Sequence, residues 1–253
     1  MTISDRLIVA NWKMNLSLAA AVELTAAIAA GIGVPRRSAV WLAPAALHLE
    51  AVAKAAAGSP LTIGAQNVCG VPTGAFTGEI SVPMVRECGG SFAIVGHSER
   101  RHLFNEQPDL VAGRALGALT QGLPIIFCVG ETAAERERGE EVRTLERQLD
   151  PFLEQYDPNQ RDSVTVAYEP VWSIGTGKIP ALPDIDAAHG AIARIFENHG
   201  VKRPRIVYGG SVTPENLGAI LGLSEVDGAL VGGASLDAGK FSALVRISEE
   251  SAP

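Results

Sequence analysis

Short apolar runs rich in β-branched residues recur along the whole chain, separated by alanine- and leucine-rich stretches that carry charge at helical spacing. The runs are RLIVAN (6–11), AVWLA (39–43), LTIGAQ (61–66), FAIVGH (92–97), PIIFCVG (124–130), SVTVAYE (163–169), RIVYGG (205–210) and GALVGG (228–233). Runs of this length and composition read as buried strands. The intervening segments 18–30, 109–119, 140–153, 186–198 and 214–221 predict helices. TPEN at 213–216 marks one helix start, with Thr213 as N-cap and Pro214 at the first helical position. Strand alternating with helix implies a parallel sheet, because a parallel pair needs a crossover connection. Eight strands at intervals of roughly 30 residues fit an α/β fold of the (β/α)8 barrel type, whose usual size is about 250 residues. The first strand is not followed by G-x-G-x-x-G, which disfavours a doubly wound open sheet. With no linker, low-complexity run or charge block, one barrel domain over residues 1–253 is expected.

Composition narrows the partners. The net charge of −7 argues against nucleic acid, yet it leaves room for an anionic substrate held locally by backbone amides and a lysine. No apolar run approaches the roughly 20 residues that span a bilayer, so no membrane association is expected. The start, MTISDRLIVANW, has only a four-residue apolar run before Asn11 and does not read as a signal peptide. The three cysteines, Cys69, Cys88 and Cys128, are irregularly spaced and suggest neither a disulfide framework nor a zinc site, so a cytoplasmic location is expected.

In parallel α/β folds the sites lie at the carboxyl ends of the strands. Side chains two apart on a strand share a face. Asn11 and Lys13 therefore follow Leu7 and Val9 toward the barrel mouth. By the same parity His97 aligns with Ala93 and Val95, and Glu169 with Thr165 and Ala167. The smaller residues are expected inside the barrel, with Phe92, Ile94, Val164, Val166 and Tyr168 packing outward on helices. Taken singly, a strand-end glutamate is ordinarily a solvated loop charge, and a histidine is ordinarily a satisfied core or surface residue. That ordinary reading is kept for His48, His102, His189 and His199. Three separate strand ends carrying Lys13, His97 and Glu169 are better explained by one shared catalytic site.

The glycines point the same way. YGGSV (208–212) and VGGAS (231–235) follow the seventh and eighth strands, each opening a helix. Loops at those two strand ends form the usual phosphate site of this fold, where glycine allows close backbone approach and unpaired amides face the anion.

ANWKMN (10–15), GAFTGEIS (74–81), VGHSERR (95–101), AYEPVWSIGTGK (167–178), YGGSV (208–212) and LVGGASL (230–236) occur in that order over nearly the full chain. In these motifs the chain resembles the triosephosphate isomerase family, whose fold is the TIM barrel. The resemblance implies an aldose–ketose isomerase of glycolysis and gluconeogenesis, interconverting dihydroxyacetone phosphate and D-glyceraldehyde 3-phosphate through an enediol(ate). It makes Glu169 the general base and His97 the electrophile, acting as neutral imidazole at the start of a short helix opened by Ser98 and Glu99. Lys13 and Asn11 would stabilise charge developing on the substrate oxygens. Gly175, Ser211, Gly232 and Gly233 would supply phosphate-binding amides. Glu99 is read as a partner for Lys13, and Cys128 as a small buried residue near the site. Pro170, Val171 and Trp172 would form the leading hinge of a lid, and Lys178, Ile179 and Pro180 the trailing one. Thr77 would project into a second subunit's site, implying a homodimer. No metal or organic cofactor is implied.

The chain departs from the family's usual pattern at two lid positions. Ser173 stands where alanine is common, at what is expected to be an exposed tip. Pro180 stands where a small residue is common; it fixes φ and restricts Ile179, which should push hinge motion toward Gly177 and Lys178. Two other functions fit the residues less well. A Schiff-base aldolase would want a lysine in mid-barrel on the sixth strand, and TVAYE has none. A non-catalytic phosphate-binding barrel would have no need of Glu169, His97 and Lys13 together.

Overall fold

The computed structural model describes residues 6–174 and 179–251, with only the backbone described at 160–162. Its strands are β1 (Arg6–Asn11), β2 (Ser38–Ala43), β3 (Leu61–Ile63), β4 (Ala93–Val95), β5 (Ile125–Val129), β6 (Val164–Tyr168), β7 (Arg205–Tyr208) and β8 (Gly228–Val231). All pair in parallel, in the order β3-β2-β1-β8-β7-β6-β5-β4. The two outer strands meet through Ala65. Its N–H donates to the Phe92 carbonyl at 2.9 Å, and its carbonyl accepts from Ile94 N–H at 2.8 Å, closing the barrel. Several strands are shorter than the apolar runs that predict them, because the last residues of each run turn into the loops at the mouth. The helix Pro214–Leu221 begins as expected: Thr213 and Asn216 form a reciprocal cap. No helix among the described residues is long and apolar enough to cross a membrane.

Two apolar layers lie on either side of the strands. Leu7, Val9, Ala43, Phe92, Ile94, Ile126, Cys128, Ala167, Val207 and Leu230 form a cluster without a single helical residue, which is the barrel interior. Ile8, Ala10, Val40, Leu42, Val95, Phe127, Val166, Tyr168, Ile206 and Val231 face outward and pack with helical residues such as Ile28, Leu149, Phe152, Phe196 and Phe241. The expected facing of β6 holds, with Ala167 inside and Val164, Val166 and Tyr168 outside. The expected facing of β4 is reversed: Phe92 and Ile94 point inward, Ala93 and Val95 outward. Residue size misled there. The Phe92 ring stacks on Trp41 at 4.5 Å, over Gly64, where a Cβ would lie 2.4 Å from a ring carbon. Absence of one side chain makes room for a large one, and close packing fills the space.

His189, in the helix Leu182–Asn198, is fully buried, with Nδ1 3.0 Å from the Glu225 carbonyl and its ring edge-on to Tyr168. It is a core residue as expected, though its buried Nε2 has no hydrogen-bond partner among the described residues. Burial, with Arg203 repelling added charge, brings its pKa down from 6.5 to about 4. Between those values the unfolded chain binds a proton that the folded chain refuses, so folding stability falls as pH falls through that window. The wild-type protein should lose about 3 kcal/mol from this residue between pH 7 and pH 4. Asparagine can keep the bond to Glu225 through its Nδ2 without titrating, so His189→Asn should flatten the acid limb. Urea unfolding at pH 7 and pH 4.5 measures the difference, and equal slopes for the two proteins would sink the assignment.

Candidate active site

His97 reaches the mouth by breaking strand parity. Continued alternation from outward-facing Ala93 and Val95 would carry it away from the barrel interior. Gly96 intervenes with φ +68°, a left-handed conformation that side chains rarely adopt. A Cβ on Gly96 would also lie 2.5 Å from Val111 Cγ1 and 2.8 Å from Arg101 Nη2. His97 then caps the helix Ser98–Leu103, its Nδ1 accepting from Glu99 N–H at 3.2 Å. The ring proton is thereby left on Nε2, which lies 3.0 Å from Oε1 of Glu169.

Glu169 follows β6 as expected and is only 1% exposed. Its N–H donates to the Val129 carbonyl at 2.7 Å, and Oε2 accepts from Ser98 N–H at 2.7 Å. Gly130 permits the approach of β5 and β6 here, since a Cβ on it would lie 1.8 Å from the Glu169 carbonyl oxygen. Burial works against ionisation of Glu169, but the His97 ring and the Ser98 amide outweigh it and hold the carboxyl below its ordinary value. Burial likewise works against charge on His97, and the Glu169 carboxylate outweighs it, raising the ring above its ordinary value. That rise depends on the carboxylate staying beside the ring. With Nδ1 occupied by an N–H donor, a second ring proton also costs the cap of the helix.

Lys13 adopts φ +52°, held by its N–H donating to Asn11 Oδ1 at 3.0 Å and its carbonyl accepting from Gln66 Nε2 at 2.8 Å. Its Nζ meets Glu99 Oε1 at 2.7 Å, as expected of Glu99. Cys128 is fully buried, and burial pushes its thiol well above the ordinary value, so it is a neutral packing residue of the interior.

Asn11, Lys13, His97, Glu169, Ser211, Gly232 and Gly233 all line one cavity of about 500 Å³. Gly209, Gly210 and Leu230, from the glycine motifs, and Lys240, from outside them, also line it. Lys240 is the notable omission. It stands three residues after Asp237, the N-cap of the helix Ala238–Glu250, and only the folded chain shows that this first turn faces the glycine loops. Ser173, expected at an exposed tip, is fully buried instead: the short turn Val171–Ser173 folds inward, and its carbonyl accepts from Ser211 Oγ at 3.3 Å. Gly175 and Lys178 lie outside the described residues. Pro180 is buried and Ile179 exposed, while Thr77 sits in an exposed loop away from this cavity.

Glu131 was not anticipated. Its fully buried carboxylate accepts from Tyr168 OH at 3.0 Å and Trp172 Nε1 at 2.8 Å, and Arg136 approaches it at 3.4 Å. Arg136 also stacks over the Trp172 ring at 4.7 Å and pairs with Asp184 at 2.9 Å. Pro170–Trp172 is thereby anchored to the barrel.

A family model described as triosephosphate isomerase matches residues 6–248. The triosephosphate isomerase of Lawsonia intracellularis is 42% identical over 243 residues, covering 94% of this chain and 96% of its own. That of Treponema denticola is 40% identical over 246 residues, covering 96% and 98%. That of Magnetococcus marinus is 41% identical over 246 residues, covering 94% and 96%.

The backbone at Gly96 predicts a contrast between two glycine-to-alanine changes. Gly96→Ala should lose about 2 kcal/mol or more through the left-handed φ and the collision with Val111. Gly113, exposed in the helix Pro108–Thr120 with open space where a Cβ would go, should gain up to about 1 kcal/mol on the same change. Paired chemical unfolding curves report both; a harmless Gly96→Ala would remove the argument.

Proposed function

The chain belongs to the triosephosphate isomerase family, and from that premise we propose how its own residues interconvert dihydroxyacetone phosphate and D-glyceraldehyde 3-phosphate. Glu169 removes a proton from the hydroxymethyl carbon beside the substrate carbonyl and returns it to the carbonyl carbon. A carboxylate suits both steps because it can reach two neighbouring carbons. His97 Nε2–H donates to the carbonyl oxygen as charge develops there, and the ring recovers a proton from the adjacent hydroxyl. The observation that carries this reading is the 3.0 Å approach of His97 Nε2 to Glu169 at the mouth of a cavity that Lys13 and two glycine loops also line.

Both Glu169 oxygens face protein groups here, Ser98 N–H on one side and the His97 ring on the other. Substrate must therefore separate base from electrophile before either can act. Separation removes the carboxylate that raises His97, so the ring meeting the carbonyl is a neutral donor. Asn11 and Lys13 stabilise the enediolate oxygens. The phosphate is read into the amides of Ser211, Gly232, Gly233 and Gly175, with Lys240 adding charge at the same end. Residues 170–180 are read as a lid that excludes water from an intermediate prone to lose its phosphate. Pro170, Val171 and Trp172 form its fixed leading edge, and Lys178, Ile179 and Pro180 its trailing edge.

We also read the chain as a cytoplasmic homodimer that binds neither nucleic acid nor membrane. Met14 and Leu47 are each 95% exposed, and Phe76, Leu103 and Phe104 are also exposed. They sit on the segments following the first four strands, Phe76 next to Thr77 in sequence, and apolar surface gathered on these segments supports a partner there.

A coupled assay of triose phosphate interconversion tests the chemistry. Wild type should be active, and Glu169→Gln should lose about 10²–10⁴-fold in kcat while inorganic phosphate still inhibits competitively. An inactive wild type or an active variant would overturn the assignment. Sedimentation equilibrium should give twice the chain mass of 26.4 kDa, and Leu47→Glu should shift it toward one chain, with activity falling alongside.

A further inference from the structure

Arg101 stands one helical turn after His97, on the helix Ser98–Leu103, yet its guanidinium turns back beneath the strand ends. Nε donates to the Gly96 carbonyl at 2.8 Å, and Nη2 donates to the Cys128 carbonyl at 3.0 Å. The group lies 5.8 Å from the centre of the Phe127 ring. Burial lowers its pKa to about 10, so it remains a cation at neutral pH. The guanidinium is half-buried, with Glu169 and Glu106 favouring its charge through space, and its hydrogen bonds go to two backbone carbonyls.

The two carbonyls are informative. Gly96 is the left-handed residue that aims His97 into the mouth. Cys128 pairs with Ala167 across β5 and β6, and the next β5 residue, Val129, receives the Glu169 amide. One planar fork thus ties the peptide that orients His97 to the strand that seats Glu169. We propose that Arg101 is a positioning residue for the isomerisation, its guanidinium locking the Gly96 peptide so that His97 Nε2 points at the substrate carbonyl. This rests on the reading of His97 as the electrophile. Lysine cannot reproduce it, because an ammonium is a point donor and not a planar fork.

Arg101 also forms a wall of a second cavity, of about 290 Å³, shared with Glu106, Arg147 and Gln148. That cavity gives small guanidinium compounds a route to the space an alanine would leave.

The test is a mutant cycle in the coupled assay. Arg101→Ala should lower kcat by about 10–100-fold through misplacement of the donor, with KM and the inhibition constant for inorganic phosphate within twofold. Arg101→Lys should remain impaired although it keeps the charge. Millimolar ethylguanidinium should raise kcat of the alanine variant and leave wild type unchanged. Because Arg101 acts through His97, Arg101→Ala should have little further effect in a His97→Gln background. A kcat within twofold of wild type for both Arg101 variants overturns the proposal, as does an equal loss in the two backgrounds. If Arg101→Ala fails to fold, the lysine variant carries the cycle. Full activity of His97→Gln alone would strike the reading of His97, a failure distinct from that of Arg101.

Discussion

The catalytic geometry hangs on one peptide, that of Gly96. Its positive φ reverses the direction that strand alternation would give the next side chain, and so brings His97 to within 3.0 Å of Glu169. The neighbours of that peptide are fitted to it. Val111 leaves no space for a Cβ, Arg101 takes its carbonyl, and the helix beginning at Ser98 takes the histidine as its cap. The same helix start supplies the Ser98 N–H that holds Glu169 and the Glu99 carboxylate that holds Lys13. Glu169, His97 and Lys13 are thus registered against one short stretch of backbone, although they come from three distant parts of the chain.

Electrostatics gives this arrangement its resting character. Burial disfavours charge on both Glu169 and His97; the ring holds the carboxyl below its ordinary value, and the carboxylate raises the ring above its own. Such a pair is stable while closed and reactive once divided, because a carboxylate stripped of its partners in a dry site is a stronger base. In the proposed mechanism the substrate comes between them, and the glycine loops and Lys240, which line the same cavity, hold its phosphate and supply the binding energy to do so.

Much of the barrel was legible in the sequence because eight strands buried on both faces leave eight apolar runs, and parity on β1 and β6 carried Asn11 and Glu169 to their places. On β4 the parity argument put His97 at the mouth for the wrong reason: two misreadings cancelled. Phe92 and Ile94 turned out to be interior, and Gly96 then reversed the alternation. Nothing local in FAIVGH reports that Gly64, just past the end of β3, has vacated the space for the Phe92 ring. Ser173 was misplaced for a similar reason, since its burial depends on Ser211 from another loop. Lys240 and Arg101, on helices, and Glu131, in the loop after β5, each work through contacts across loops, and their local sequence gives no sign of which way they turn.

The Gly64–Phe92 contact bears on how this barrel can diverge. Phe92 occupies the volume that any side chain at position 64 would need, so the two positions behave as one steric unit. A lineage could not enlarge residue 64 without first shrinking residue 92, and the intermediate, with both small, would leave a void beneath the Trp41 ring. The two sites should therefore drift together or not at all.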